Sequence, residues 1–424
     1  MIDIEANLTD QNFIDHHCKY YSPDDFNTSF SLNPEFINTT TNTYRNNHFS
    51  ILHVNTRSLN KNFDALELLI SSINQFSFSI IGVTETWLNS NSPPMFDLQN
   101  YNFIRADRPH GKGGGVGMYI NKLLRFKARP DIHIEGAEDL FIEIINNKDK
   151  NIIVGTIYRP PSNESERFVD TLDIELHKVL QENKNVYLMG DYNIDLLSPT
   201  RHNIEKFINV LQSNGFYPHI NQPTRISNES QTLIDNVFSN VYQNSINGII
   251  YSDISDHLPI FVICKQSSDL NSTPKNPKSH RKESQENIDL LNIDLANEQW
   301  LEVFSESDVN KCYNNLIQKL MFYYDKNIPL ITIKQDKEIR KMPWITKGIL
   351  RSIHTRNQLY KLSLHKPTLI NKNNYKTYRN KLTTLIRLSR KDYYSNKFER
   401  NKGNVNNTWK TINDLVKKKK KNYP

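Results

Sequence analysis

From Phe49 to about Lys265, short apolar runs rich in β-branched residues alternate with amphipathic stretches and turn residues. Runs of this kind read as buried strands, and stretches with apolar residues at three- and four-residue steps read as helices. The alternation predicts an α/β or layered α+β domain over 49–265. Residues 1–48 have a different texture: they are polar, rich in Asn, Thr and Asp, and without a sustained period, so they are expected to form a disordered arm. Residues 266–285 are rich in Ser, Pro, Asn and Lys and read as a linker. Beyond it the spacing turns helical. Tyr375, Tyr378, Leu382, Leu385, Leu388 and Tyr393 recur mostly at three- and four-residue steps with Arg and Lys between them, so 286–424 reads as a mainly helical, basic segment.

Six of the apolar runs end at, or start from, a polar residue able to do chemistry. Ser50–Val54 runs into Asn55, Ile80–Thr84 into Glu85, and Ile152–Ile157 into Tyr158-Arg159-Pro160. Val186–Gly190 runs into Asp191-Tyr192-Asn193, and Thr232–Ile234 into Asp235-Asn236. Ser255-Asp256-His257 precedes the run Leu258–Ile263. Buried strands deliver their terminal residues to the rim of a sheet, where function commonly sits. These residue types suit phosphodiester cleavage. A hard divalent cation takes carboxylate oxygens such as those of Glu85 and Asp256. Phosphate oxygens need donors, which Asn55, Tyr158, Asn193 and His257 supply. Asp191 or His257 can serve as the water-activating base, and Asp235 can orient His257.

Charge adds a second theme. The 424 residues carry 53 Lys+Arg against 46 Asp+Glu, a net of +7, but residues 1–269 hold 21 basic and 32 acidic side chains and residues 270–424 hold 32 and 14. From Arg340 to Pro424 there are 23 basic and 3 acidic side chains, including Lys417, Lys418, Lys419, Lys420 and Lys421. Interleaved Tyr and Trp favour nucleic-acid binding by this segment over a merely solvated face. The lysine run also suits nuclear import. Mean hydropathy is −0.63 and no apolar run is long enough for a membrane helix, so no membrane partner is expected. Cys18, Cys264 and Cys312 are too far apart for a disulfide framework, which points to a reducing, intracellular setting. Gly111–Gly117 reads as a turn into a strand rather than a phosphate loop. Trp87 reads as a packing residue, His53 as a satisfied structural histidine, and His16-His17-Cys18 as part of a solvated arm.

The ordered series His53–Leu59, Thr84–Leu88, Ile157–Pro161, Gly190–Asn193, Leu233–Asn236 and Ser255–His257 resembles the endonuclease/exonuclease/phosphatase superfamily. Within it, the series looks like the apurinic-type endonuclease domain of jockey/CR1-like non-LTR (LINE) retrotransposons. Lys341–Thr346, Lys391–Tyr394 and Asn407–Asn413 resemble the connector to their reverse transcriptase. A Tyr/Phe-x-Asp-Asp polymerase motif does not occur, so the chain is expected to be a fragment, a degenerate copy or a truncated gene model, with a polymerase supplied in trans. The resemblance implies a four-layer α/β sandwich of two packed β-sheets flanked by helices, followed by the basic helical tail. It implies hydrolysis of DNA dependent on Mg²⁺, with Mn²⁺ as an alternative, leaving a 3′-hydroxyl that primes reverse transcription. It further implies nuclear action after cytoplasmic synthesis and a contact between the tail and element RNA. By position, Glu85 would be the main metal ligand, assisted by Asn55 and Asp256. Asp191 would activate or orient water, Asn193 and Tyr158 would contact phosphate, and His257 would be an acid/base oriented by Asp235. Thr224 would match a phosphate-contacting threonine and Ser255 a supporting donor. The alternatives are a repair-type abasic endonuclease, another phosphoesterase of the superfamily, and a catalytically idle nucleic-acid-binding remnant.

Overall fold

The computed structural model describes residues 18–31, 37–38, 43–44, 48–73, 76–92, 96–109, 111, 113–146, 149–161, 165–198, 202–227, 230–241, 245–265, 279–281, 284–332 and 342–416. The chain divides into two compact units, Met1–Thr273 with Met342–Pro424, and Pro274–Lys341. The main strands of the larger unit are β1 (Lys19–Tyr21), β2 (His48–Asn55), β3 (Ile80–Thr84), β4 (Tyr101–Ala106), β5 (Val116–Asn121), β6 (Phe126–Ala128), β7 (Glu138–Ile144) and β8 (Ile152–Tyr158). They continue with β9 (Asn185–Asp191), β10 (Tyr217–Pro218), β11 (Arg225–Ile226), β12 (Gln231–Thr232), β13 (Asp235–Ser239), β14 (Ser245–Ile250) and β15 (Ile260–Lys265). One sheet runs β1-β14-β15-β2-β3-β5-β4 and the other β10-β13-β9-β8-β7-β6, with β11 and β12 as a separate hairpin. Helices α1 (Leu59–Ser72), α2 (Ser165–Gln181) and α3 (His202–Ser213) cover the sheets.

Period-two alternation builds the layers. In β2, Leu52 and Val54 pack toward α1 with Leu59, Phe63, Leu66 and Leu69. Ile51, on the opposite face, joins the core between the sheets with Ile80, Met118, Ile152, Val154, Tyr187, Met189 and Val237. The outer face of the second sheet buries Ile153, Ile157, Val186, Leu188 and Phe238 against Phe168, Leu172, Leu176 and Phe207 of α2 and α3. The layers are therefore helix, sheet, sheet, helices, the α/β sandwich expected.

Residues 18–31 depart from the disordered arm expected of 1–48. β1 pairs in parallel with β14, and Phe26 and Phe30 are buried in the α1 layer against Phe261. Two aromatics four residues apart supply the apolar area that the polar composition conceals. His16 and His17 lie outside the described residues, whereas Cys18 is buried, its thiol pushed up to about 12 by that burial.

The segment read as one basic helical stretch falls in two. The smaller unit, Pro274–Lys341, contains α4 (Gln285–Asn297) and α5 (Val309–Asn327), and a strand pair Ser279–Arg281 with Leu330–Thr332. Arg281 joins its parts, pairing with Asp325 at 2.6 Å and lying 4.5 Å from the centre of the Tyr324 ring. The larger unit takes back α6 (Lys347–His365), α7 (Leu369–Arg400) and α8 (Val405–Val416). Met342, Trp344, Ile345, Ile349, Ile353 and Leu382 bury together against Leu68 of α1. Most of the linker 266–285, and Lys417–Lys421, lie outside the described residues. Among the described residues no helix is long and apolar enough to cross a membrane.

Candidate active site

The alternation that packs the sandwich also aims its polar strand ends. His53 and Asn55 share the face of Ile51, Asp191 that of Tyr187 and Met189, and Asp235 that of Val237. Tyr158 shares the face of Ile152 and Val154. All of these therefore emerge between the two sheets, at one mouth. The register agrees, since Tyr158 lies beside Asp191 on neighbouring strands and Asp191 beside Asp235. Gly190 permits this approach: a Cβ there would lie 1.9 Å from the Ile157 carbonyl oxygen.

The carboxylates converge through one amide. Asn55 Nδ2 donates to Glu85 Oε1 at 2.9 Å and to Asp191 Oδ2 at 2.8 Å. Glu85 does not simply continue β3. It lies at φ 51°, and the next residues are held by Thr86 N–H donating to Gly115 O and Trp87 N–H to Gly114 O. Gly115, at φ 83°, must be glycine because a Cβ would sit 2.4 Å from Thr86 Oγ1. The Gly-rich stretch thus braces the Glu85 turn, consistent with a turn into β5. Among the described residues eight non-glycines have positive φ, and five of them, Arg57, Ser58, Glu85, Trp87 and Asn193, belong to these motifs. Such strain costs about 1–3 kcal/mol per residue and persists where surrounding contacts over-determine it.

Asp235, His257 and Asp191 form the buried centre. His257 Nδ1 lies 2.9 Å from Asp235 Oδ2 and 3.8 Å from Asp191 Oδ2. Thr224 Oγ1 donates to the same Asp235 oxygen at 2.7 Å. Burial opposes charge on His257, but Asp235 and Asp191 outweigh it and raise the imidazole to about 9. Burial and the nearby Asp235 push Asp191 up to about 7, against the pull of His257 and Asn55. Asp235 is held low by His257 despite its own burial. Ligand-capable atoms of Asp191, Asp235 and His257 all lie within 4.8 Å. With His257 Nδ1 directed at Asp235, the trio can hand on a proton, and its carboxylates can also meet a cation.

The other expected residues divide. Asn193 donates twice, its backbone N–H to Asp191 Oδ1 at 3.1 Å and its Nδ2 to Arg159 O at 2.8 Å. Tyr158 is buried, and its phenol is raised by burial and by Glu85 and Asp191. Ser255 Oγ donates to Asn55 O at 2.7 Å and accepts from His257 N–H at 3.1 Å, tying two motifs together. Asp256 departs from an open metal-ligand position. Arg57 Nη1 meets its Oδ1 and Arg225 Nη2 its Oδ2, each at 2.7 Å, so two guanidinium groups engage both oxygens. Trp87, read as a packing residue, is instead 36% exposed, and its Nε1 donates to Glu85 Oε2 at 3.1 Å. His53 is satisfied as expected, with Nε2 3.1 Å from Thr84 Oγ1, and burial pushes it down to about 4. The strand motif did not suggest that its Nδ1 would face Asp235 Oδ1 at 3.8 Å. Arg159 was also unassigned. Its guanidinium donates to the carbonyls of Tyr192 at 2.7 Å and Asn193 at 2.9 Å, locking the end of β8 to that of β9. An arginine directly after the apolar run that ends at Tyr158 is the sequence signal for it.

Glu85 and Asn55 fit a hard divalent cation. Glu85 offers carboxylate oxygens, and Asn55 would offer its amide oxygen; here Asn55 Nδ2 bridges Glu85 and Asp191 while its Oδ1 accepts from Arg57 N–H at 3.1 Å. Residues 40–257 match the family described as the Endonuclease/Exonuclease/phosphatase family, a span of just over half the chain. The fold and this mouth thus define a hydrolytic sandwich of phosphoesterase type, and the chain belongs to that family. Among solved structures it is similar to the endonuclease domain of TRAS1, a telomere-specific non-LTR retrotransposon, at 13% identity over 52% of this chain and 100% of that one, with a TM-score of 0.42. It is also similar to the catalytic domain of Xenopus laevis APE2, at 16% identity over 53% and 95%, TM-score 0.40. An AP endonuclease from Archaeoglobus fulgidus matches at 13% identity over 50% and 98%, TM-score 0.40. No curated protein matches the chain.

Proposed function

We propose that the protein is a divalent-metal-dependent DNA endonuclease of retroelement type, cutting a phosphodiester to leave a 3′-hydroxyl. The observation that carries the reading is His257 held between Asp235 and Asp191. With its imidazole charged and its Nδ1 given to Asp235, His257 donates toward a phosphate oxygen rather than accepting a proton. Asp191, raised toward neutrality, is then the group suited to take the proton from water. Asn193 holds the other Asp191 oxygen through its backbone, and Tyr158 and Asn55 line the same mouth as donors. Glu85 and Asn55 would hold the divalent cation, Mg²⁺ in this reading, which would supply positive charge for the phosphate oxygens. The order of the six motifs and Thr86-Trp87-Leu88 support the retroelement assignment, and the cationic surface of α6 and α7 supports a nucleic-acid substrate. Nuclear location is part of the same proposal.

The test is nicking of supercoiled plasmid with Mg²⁺ by the full chain beside Asp191→Asn and His257→Gln. Wild type should nick far faster than either variant, and equal rates would refute the reading. An oligonucleotide with one abasic site, cut in strong preference to intact plasmid, would instead support repair-type specificity.

A further inference from the structure

The loop from Tyr251 to Pro259 joins β14 to β15 and carries Ser255, Asp256 and His257. Its base is closed by Ile250 N–H donating to Pro259 O at 2.8 Å. On its inner side Ser255 is tied to the end of β2 and His257 to Asp235, as described above. Its outer side is gripped as well, by residues about a hundred positions further along the chain.

The outer grip centres on Asp253, three residues before Asp256, which no motif singles out. Arg356 Nη1 of α6 lies 2.7 Å from Asp253 Oδ1, and Tyr375 Oη of α7 donates to Asp253 Oδ2 at 2.9 Å. Both carboxylate oxygens are therefore engaged, one from each helix. The side chains of the ion pair are only 15% and 10% exposed. Burial and the Asp253 charge raise the Tyr375 phenol, which keeps it a donor. A second contact runs from Tyr251 Oη to His365 Nε2 at 2.6 Å. Tyr360 packs on Tyr375 with ring centres 5.0 Å apart.

Apolar packing also attaches the hairpin, through the cluster around Trp344, Ile349 and Leu382 on α1 and through Tyr360 and Leu364 against the core between the sheets. A desolvated ion pair is weak evidence for stability, whereas two directional bonds to one carboxylate specify where it stands. We propose that Asp253, Arg356 and Tyr375 form a positioning clamp for the Ser255–His257 loop. A helical hairpin beyond the family span then sets the turnover of the catalytic mouth. The three are positioning residues, acting through His257 and Asp256. The kinetic side of this inference rests on the endonuclease reading above.

The experiment uses the full chain with Asp253→Asn, Arg356→Gln, Arg356→Lys, Tyr375→Phe and the double variant Asp253→Asn/Arg356→Gln. It measures kcat and KM for plasmid nicking with Mg²⁺, the low-field proton resonance of His257 Nδ1–H, and the melting temperature. Small misplacements of reacting groups can cost about 10²-fold, so Arg356→Gln and Asp253→Asn should lower kcat about tenfold with KM within about twofold. Arg356→Lys should recover part of the loss, and the double variant should lose no more than the worse single. Tyr375→Phe, which removes one hydroxyl and leaves the packing, should lower kcat a few-fold, and the imidazole resonance should shift or broaden in the slowed variants. Unchanged kcat and an unmoved resonance in all variants overturn the clamp, whatever the melting temperature does. Should the wild-type chain not nick DNA, the endonuclease reading fails, and the resonance alone decides the clamp.

Discussion

At the centre of the sandwich mouth three charged side chains are buried and answer one another, whereas on the α6–α7 hairpin most charge faces water. Asp191, Asp235 and His257 are almost wholly inaccessible, and their protonation is set by one another and by desolvation. Between Lys347 and Arg400 there are fourteen Lys and Arg against two acidic residues. Of these, Arg356, Arg390 and Lys397 pair with Asp253, Asp64 and Asp414, while Lys376, Lys381, Arg387 and Lys391 are exposed. Buried charge is positional and chemically tuned, while exposed charge makes a field that salt can screen. A substitution at the mouth should therefore change chemistry, and one on the hairpin should change binding or attachment.

The largest effect belongs to Asp191. Its replacement by Asn should lower the nicking rate on the order of 10³-fold, and a rate within tenfold of wild type would break the contrast. Stability should not fall with it. Because the folded-state value is raised, the carboxyl costs stability as pH climbs from the usual carboxylate range through about 7, and asparagine removes that slope. Trp344→Ala comes next. It should destabilise the larger unit by about 3–5 kcal/mol in calorimetry. Two transitions, with that of the sandwich unmoved, would show the hairpin to be a mere appendage.

A pH scan sharpens the comparison further. His257 is raised to about 9, so it contributes stability that is complete below about 6.5 and lost as pH rises through 9. Melting temperatures of His257→Gln should lack that decline, while hairpin variants should keep it. Smaller again is the field effect. Arg387→Gln with Lys391→Gln should reduce the salt slope of DNA binding by about 2, leaving turnover on saturating DNA unchanged. An unaltered slope would remove these two cations from the nucleic-acid surface. The least effect should come from Asp64→Asn, which breaks a partly exposed pair with Arg390 and should shift stability by less than about 1 kcal/mol in urea unfolding.

The sandwich was legible because strand periodicity fixes faces. Once Ile51 points between the sheets, Asn55 must as well, and the same step of two places Asp191 and Asp235. What stayed hidden depends on tertiary neighbours that no local period encodes. Arg57 and Arg225 reach Asp256 from segments distant in sequence, and Arg356 reaches Asp253 across about a hundred residues. Phe26 and Phe30 were obscured by polar company, although two buried rings suffice to draw residues 18–31 into the core. The basic composition after Arg340 concealed a short apolar series, Met342, Trp344, Ile345 and Ile349, that returns the chain to α1.

That return makes Pro274–Lys341 an insertion inside the larger unit rather than the beginning of a tail. The hairpin depends on its docking surface, while the intervening chain need only be long enough to reach it. The larger unit thus holds a second folded unit within its own covalent thread, and its last three helices rejoin the sandwich only after Lys341.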